Sequence, residues 1–190
     1  FFITPVAVSE TMAAIEGLGA LMQPFNSLDE AFKRDNGFEA DISVRQVTPS
    51  QCPAITFLGR LRGERAPSPR LDIDTVNLRS GEALTGMVDR FGSRNIELLL
   101  VSDSGTVQNI SSLLKPGTDA KTFSIGMQQR DGVAGSHPQL LVAIASARPI
   151  EALRPGQPVG ADQFFPSVLS EAARSGQSIT ATARYFRLER

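Results

Sequence analysis

A cysteine nucleophile needs a base within reach, and this sequence offers one such pair, its only cysteine, Cys52, and its only histidine, His137. Cys52 opens a predicted helix, where the helix dipole favours a thiolate. It is followed by Pro53, Ala54, Ile55 and Phe57, which read as packing residues. Apolar surroundings raise a thiol's pKa, so the expectation is a buried, structural, inert thiol. His137 sits in Gly135-Ser136-His137-Pro138 and reads as a surface-loop residue. A hydrolase using Cys52 and His137 is therefore the alternative function rather than the first one.

Other chemistries are thinner. A serine nucleophile elbow of the G-x-S-x-G type is missing, and Gly17-Leu18-Gly19 lacks the third glycine of a dinucleotide fingerprint. One histidine and one cysteine do not make a zinc site, and Asp72, Asp74 and Asp103 have no calcium-loop spacing. No cofactor is expected, and the region is read as non-enzymatic. Phe164-Phe165 is either an exposed anchor for a partner or packing at the start of a helix. The stretch QQRDGVAGSHP (Gln128 to Pro138) is polar and contains glycine, and loops of that kind carry function. Its Arg130, Asp131, Ser136 and His137 form the candidate partner-binding loop.

The elements that must position these residues follow from periodicity and turn chemistry. Residues 1–8 (FFITPVAV) read as extended, and 11–17 as a strand closing on Gly17 and Gly19. Asn26 or Ser27 would cap a helix carrying Phe25, Leu28, Ala31 and Phe32, which Gly37 ends. Phe38 to Val47 alternates with period two, as a half-buried strand does. Thr48 or Ser50 then caps a second helix with Ile55, Phe57, Leu58 and Leu61 on one side. After Glu64 to Arg70, which has two prolines and reads as a linker, the period becomes strand-like. The stretch from Leu84 to Ile110 reads as a meander of three strands around Ile96 to Val101, with Leu99 facing a core. Thr122 to Met127, the continuous apolar run Leu140 to Ala147 and Ile179 to Leu188 complete the strands. Asp162 is expected to cap a late helix bearing Phe165, Val168, Leu169 and Ala172. The predicted fold class is α+β: a small strand–helix–strand–helix lobe over 1–66, packed on a mainly antiparallel β-sandwich over 70–190 with one late helix.

Composition limits the function classes. The chain has 190 residues, 41% of them apolar, and no run approaches the ~18–20 apolar residues of a membrane span. A net charge of −1 speaks against a nucleic-acid partner, which would leave a basic surplus. All basic residues except Lys33, Lys115 and Lys121 are arginine, which is read as coding bias. The first residue is Phe, so the chain is read as part of something longer, with a domain upstream. A bridge from Cys52 to an upstream cysteine would imply an oxidising compartment.

The block LDIDTVNLRSGEALTGMVDRFGSRNIELLLVSDSGTVQNISSLL, followed by a strand at Lys121–Met127 and by Leu141-Val142-Ala143-Ile144-Ala145-Ser146, carries a resemblance. It resembles a bacterial domain of unknown function found C-terminal to caspase-like peptidases and serine/threonine protein kinases. The front segment, with Gly17, Pro24-Phe25, Phe38-Glu39-Ala40-Asp41 and Gln51-Cys52-Pro53, is similar to the region preceding that sandwich in kinase-type envelope proteins of alphaproteobacteria. One departure is Ser104 inside Asp103-Ser104-Gly105, where the family has a D-G turn. The kinase's own glycine-rich loop, H-R-D and D-F-G are not in this sequence. The resemblance implies a signalling setting, a periplasmic or extracellular location (the alternative being cytoplasmic), and a protein or cell-envelope component as partner. The expected function is a non-catalytic interaction or sensor module. A structural spacer is the remaining alternative.

Overall fold

The computed structural model describes residues 1–9, 12–117, 119–129 and 135–190. Among them are twelve strands and three α-helices in an α+β arrangement. The front of the chain forms a three-stranded sheet from β1 (Phe2–Val8), β2 (Ala13–Gly19) and β3 (Ala40–Gln46). β1 and β2 pair antiparallel, while β2 and β3 pair parallel across the helix α1 (Gln23–Asn36).

Neither Asn26 nor Ser27 caps α1. The helix is capped at Met22, four residues before Asn26, and has Pro24 in its first turn. Proline is preset for that turn and lacks the N–H that would go unpaired there. The early start brings Phe25, 2% exposed, down onto Gly17 and Gly19. A Cβ on Gly17 would lie 2.4 Å from the Phe25 ring, so these glycines serve close packing. Gly37 ends the helix as expected, at φ 75°.

The remainder builds two sheets and two helices. α2 (Cys52–Arg60) is introduced by a tight 3-10 turn at Pro49–Gln51. The small sheet is ordered β4-β6-β9, from Arg70–Ile73, Ala83–Asp89 and Ala120–Gly126. The large one is ordered β11-β8-β7-β10-β12-β5. Its members are β5 (Asn77–Arg79), β7 (Asn95–Val101), β8 (Thr106–Asn109), β10 (His137–Ser146), β11 (Val159–Gly160) and β12 (Ile179–Glu189). All its pairings are antiparallel except β12 with β5. The late helix α3 (Ala161–Arg174) follows β11 directly. Gly160 occupies its cap and Asp162 its first turn, so Asp162 serves the helix dipole rather than the cap position.

The expected three-stranded meander is divided between sheets. β6 belongs to the small sheet and β7 to the large one, so only β7 and β8 form a hairpin. The corner between them holds Arg90 and Gly92 at φ 57° and 58°, around a buried Phe91. Burying that ring turns the chain out of one layer and into the other.

Both faces of the large sheet are covered along most of β10, which explains why that strand reads as a continuous apolar run. On one face, Leu99, Val101, Leu140, Val142 and Ile144 share a core with α3 and with Ile55, Phe57 and Leu58 of α2. On the other, Leu98, Leu141, Ala143, Phe186 and Leu188 pack on Leu84, Val88, Phe123 and Ile125 of the small sheet. Phe164 and Phe165 are buried in the first core at 86° to one another, so neither is an exposed anchor.

Candidate functional site

Three strands of the small sheet cannot cover six, and the face left open at β8, β7 and the start of β10 forms a groove of about 550 Å³. Its floor follows from the pleat. The registers of β7 with β8 and β10 put Leu100 beside Gln108 and Leu141, facing the small sheet. Two residues along, Ser102 lies between Thr106, whose carbonyl accepts its N–H at 2.9 Å, and Gln139. Thus Thr106, Ser102 and Gln139 make one polar row, and Gln108 with Leu100 the next.

The β7–β8 turn closes one end. Gly105 takes φ 79°, and a Cβ there would lie 2.5 Å from the Ser50 carbonyl, so only glycine fits. Ser104 sits between the hydroxyls of Ser102, at 2.8 Å, and Thr106, at 3.1 Å. The Asp103 carboxylate accepts from the Ser104 N–H at 2.8 Å and from His137 Nδ1 at 2.6 Å. A carboxylate only accepts, so the proton in this bond belongs to Nδ1. The other ring nitrogen, Nε2, is buried and has no hydrogen-bond partner among the described residues.

The turn is held from behind by the segment leading into α2. Thr48 Oγ1 donates to the Asp103 carbonyl at 2.6 Å. Gln51, fully buried, donates through Nε2 to the carbonyls of Val101 at 3.2 Å and Pro138 at 3.0 Å, while its Oε1 accepts from the Thr48 N–H at 3.0 Å.

The candidate residues fall as follows. Arg130 and Asp131 lie outside the described residues. Ser136 is exposed and lines a neighbouring groove with Thr48, Tyr185 and Arg187. His137 is the first residue of β10 rather than a loop residue, and its side chain is 20% exposed. Strand pairing with Leu188 and the bond to Asp103 fix it there. Cys52 is half-buried rather than buried, because it stands at the exposed start of α2; its thiol approaches the Thr48 carbonyl at 3.8 Å. Cys52 and His137 thus each have a separate partner and are not hydrogen-bonded to each other. Asp72 pairs with Arg70 at 2.9 Å, and Asp74 accepts from Thr85 at 2.5 Å. Among the described residues no group of three or more His, Cys, Asp or Glu is placed to hold a metal.

A second polar cluster was not foreseen from the sequence. Glu97, 4% exposed, receives Arg154 Nε at 2.8 Å and Nη2 at 2.6 Å on one oxygen, and Asn109 Nδ2 at 3.0 Å on the other. Burial pushes its pKa up, but the Asn109 amide, the Ser111 hydroxyl and the Arg154 guanidinium outweigh that and hold it below the usual value. Asn109 also donates to the Leu153 carbonyl at 2.6 Å, so the cluster ties the 150–155 segment onto the hairpin. Its signal in the sequence was a lone charge inside Ile96 to Val101.

No helix among the described residues is long and apolar enough to cross a membrane. No family model matches the sequence, and no curated protein matches it.

Proposed function

We propose that this chain is a non-catalytic interaction or sensor module, with the groove over β8, β7 and β10 as its binding surface. In the setting implied by the resemblance, it is the accessory end of a periplasmic or extracellular signalling protein, responding to a protein or cell-envelope component. The observation that carries this reading is the convergence of polar side chains from β7, β8, β10 and the β7–β8 turn on one concave face beside apolar Leu100, Met127 and Leu188. A few placed polar groups within an apolar surround, at ~300–1,000 Å³, is the usual make-up of a ligand site. Gln128, Gln129 and His137, from the stretch Gln128 to Pro138 that holds the candidate loop, also line the groove.

The test titrates isotope-labelled protein with solubilised cell-envelope fragments while monitoring for product. Saturable shifts at residues 100–108 and 136–140, with the fragments recovered intact, are expected. Turnover abolished by Cys52→Ser would replace this reading with the hydrolase one. A reporter fusion at the C-terminus of the full-length chain that is active only in the cytoplasm would overturn the envelope location.

A further inference from the structure

The chemistry of the groove narrows its ligand. Most of its polar lining consists of groups that both donate and accept: the hydroxyls of Ser102, Ser104 and Thr106, and the carboxamides of Gln108, Gln128 and Gln139. None of the described lining residues is Lys or Arg. Among the described lining residues the only carboxylate, Asp103, is already engaged by His137 and the Ser104 N–H. From these residues an anionic ligand would meet no cation and one negative charge, and a cationic one would have to compete for an occupied carboxylate.

A peptide strand binds by adding to a sheet edge, where unpaired N–H and C=O groups supply the affinity. The floor of this groove is a sheet face. The main-chain groups of β7 are used on both sides by β8 and β10, and β11 occupies the outer edge of β8 at Thr106 and Val107. What remains on offer is side-chain hydroxyls and amides in rows, with Leu100, Met127, Pro158 and Leu188 between and beside them. A sugar ring has the matching character, since its hydroxyls also donate and accept and its C–H faces are apolar.

Resting on the reading of the groove as a binding site, we infer that its ligand is a neutral oligosaccharide laid across the open rows of β8 and β7 beside the start of β10. Thr106 and Ser102, beside the largely buried Gln139, form the first row of contacts and Gln108 the second, with the β7–β8 turn at the closed end.

The experiment is a set of titrations of the labelled chain followed by amide chemical shifts. The probes are chitotriose, with hydroxyl and acetamido groups, maltotriose, with hydroxyls alone, and a tripeptide blocked at both ends. One or both sugars should give saturable shifts confined to residues 100–108, 127–129 and 136–140. Which sugar responds separates an acetamido-bearing ligand from a plain polyol. Thr106→Val and Gln108→Leu change exposed side chains, so both variants should keep the native spectrum. Each should weaken sugar binding by roughly tenfold, the size of one lost hydrogen bond. Sugar binding unchanged in both variants overturns the placement. Groove shifts with the peptide alone overturn the saccharide while leaving the groove as a binding surface. Silence from all three probes overturns both readings.

Discussion

Replacing Glu97 by Gln changes one oxygen to an NH2 group and almost nothing in shape, so the cost reports on the charge and its partners. One carboxylate oxygen takes both Arg154 donors and the other takes the Asn109 amide. A glutamine presents its NH2 either to Asn109, facing donor with donor, or to the Arg154 guanidinium. In either orientation one buried contact is lost and a donor is left unsatisfied. A hydrogen bond to a charged group is worth ~1.5–3 kcal/mol, and an orphaned buried donor costs ~1–3 kcal/mol. Breaking a fully buried ion pair costs ~3–5 kcal/mol. The Arg154 side chain is 52% exposed and rehydrates when released, which keeps the loss below that range, at about 2–3 kcal/mol. For a chain of this size that lowers Tm by roughly 4–12 °C in a thermal melt.

The pH dependence supplies an internal check on the same substitution. The folded-state pKa of Glu97 is depressed from 4.5, so its stabilisation is fully present above that value. It is lost as pH falls through the lower folded value. The Tm gap between wild type and Glu97→Gln should be constant near neutrality and should close below about pH 4.5. A variant melting within about 1 °C of wild type at neutral pH would refute the reasoning. So would a gap that widened in acid.

Leu99→Ala removes a fully buried side chain from the core shared by the large sheet and α2, and should cost ~2–5 kcal/mol by chemical denaturation. Gly86→Ala would put a Cβ 2.2 Å from the Asp72 carbonyl, forcing β4 away from β6, so the variant should unfold at lower denaturant than Leu99→Ala. An unchanged midpoint would show that the two strands are not so closely paired. Cys52, half-buried beside the Thr48 carbonyl, should react with a thiol reagent more slowly in the native protein than in denaturant. His137→Ala should leave that rate alone, since the imidazole is bonded to Asp103 instead.

What the sequence made legible was whatever local chemistry decides. Leu140 to Ala147 reads as a central strand and all of it but Ala147 lies in β10, while Phe165, Val168 and Ala172 fall on one side of α3 as their spacing requires. The passage from β6 to β7 was not legible, because Asp89-Arg90-Phe91-Gly92-Ser93 carries the same turn residues a hairpin would. The choice between hairpin and corner is made by where the Phe91 ring is buried, a tertiary event. Asp103 and His137 are 34 residues apart, and only the register of β7 on β10 brings them together. The rows of the groove were hidden for a related reason. Ser102, Thr106 and Gln139 look like ordinary solvated positions until the width of the small sheet leaves their face open. Glu97 is different: a charge within an apolar strand is a local signal of a buried partner, but in the sequence the run reads only as a strand.

Gln51 fastens the segment leading into α2 to the large sheet. Its single NH2 group spans the last carbonyl of β7 and the Pro138 carbonyl of β10, while its oxygen holds the N–H of Thr48. Lifting the front sheet away from the sandwich would strip two carbonyls of their donor at once and also pull Thr48 from the Asp103 carbonyl. The side chains of α2 would leave the common core in the same movement. Under tension applied through β3 the front sheet is thus the wrong place to look for a first yield point, because the staple couples that load straight into the turn that walls the groove. A cut between residues 63 and 70 would leave the core between the two sheets whole within 70–190, and would strip Ile55, Phe57 and Leu58 of α2 from the other core.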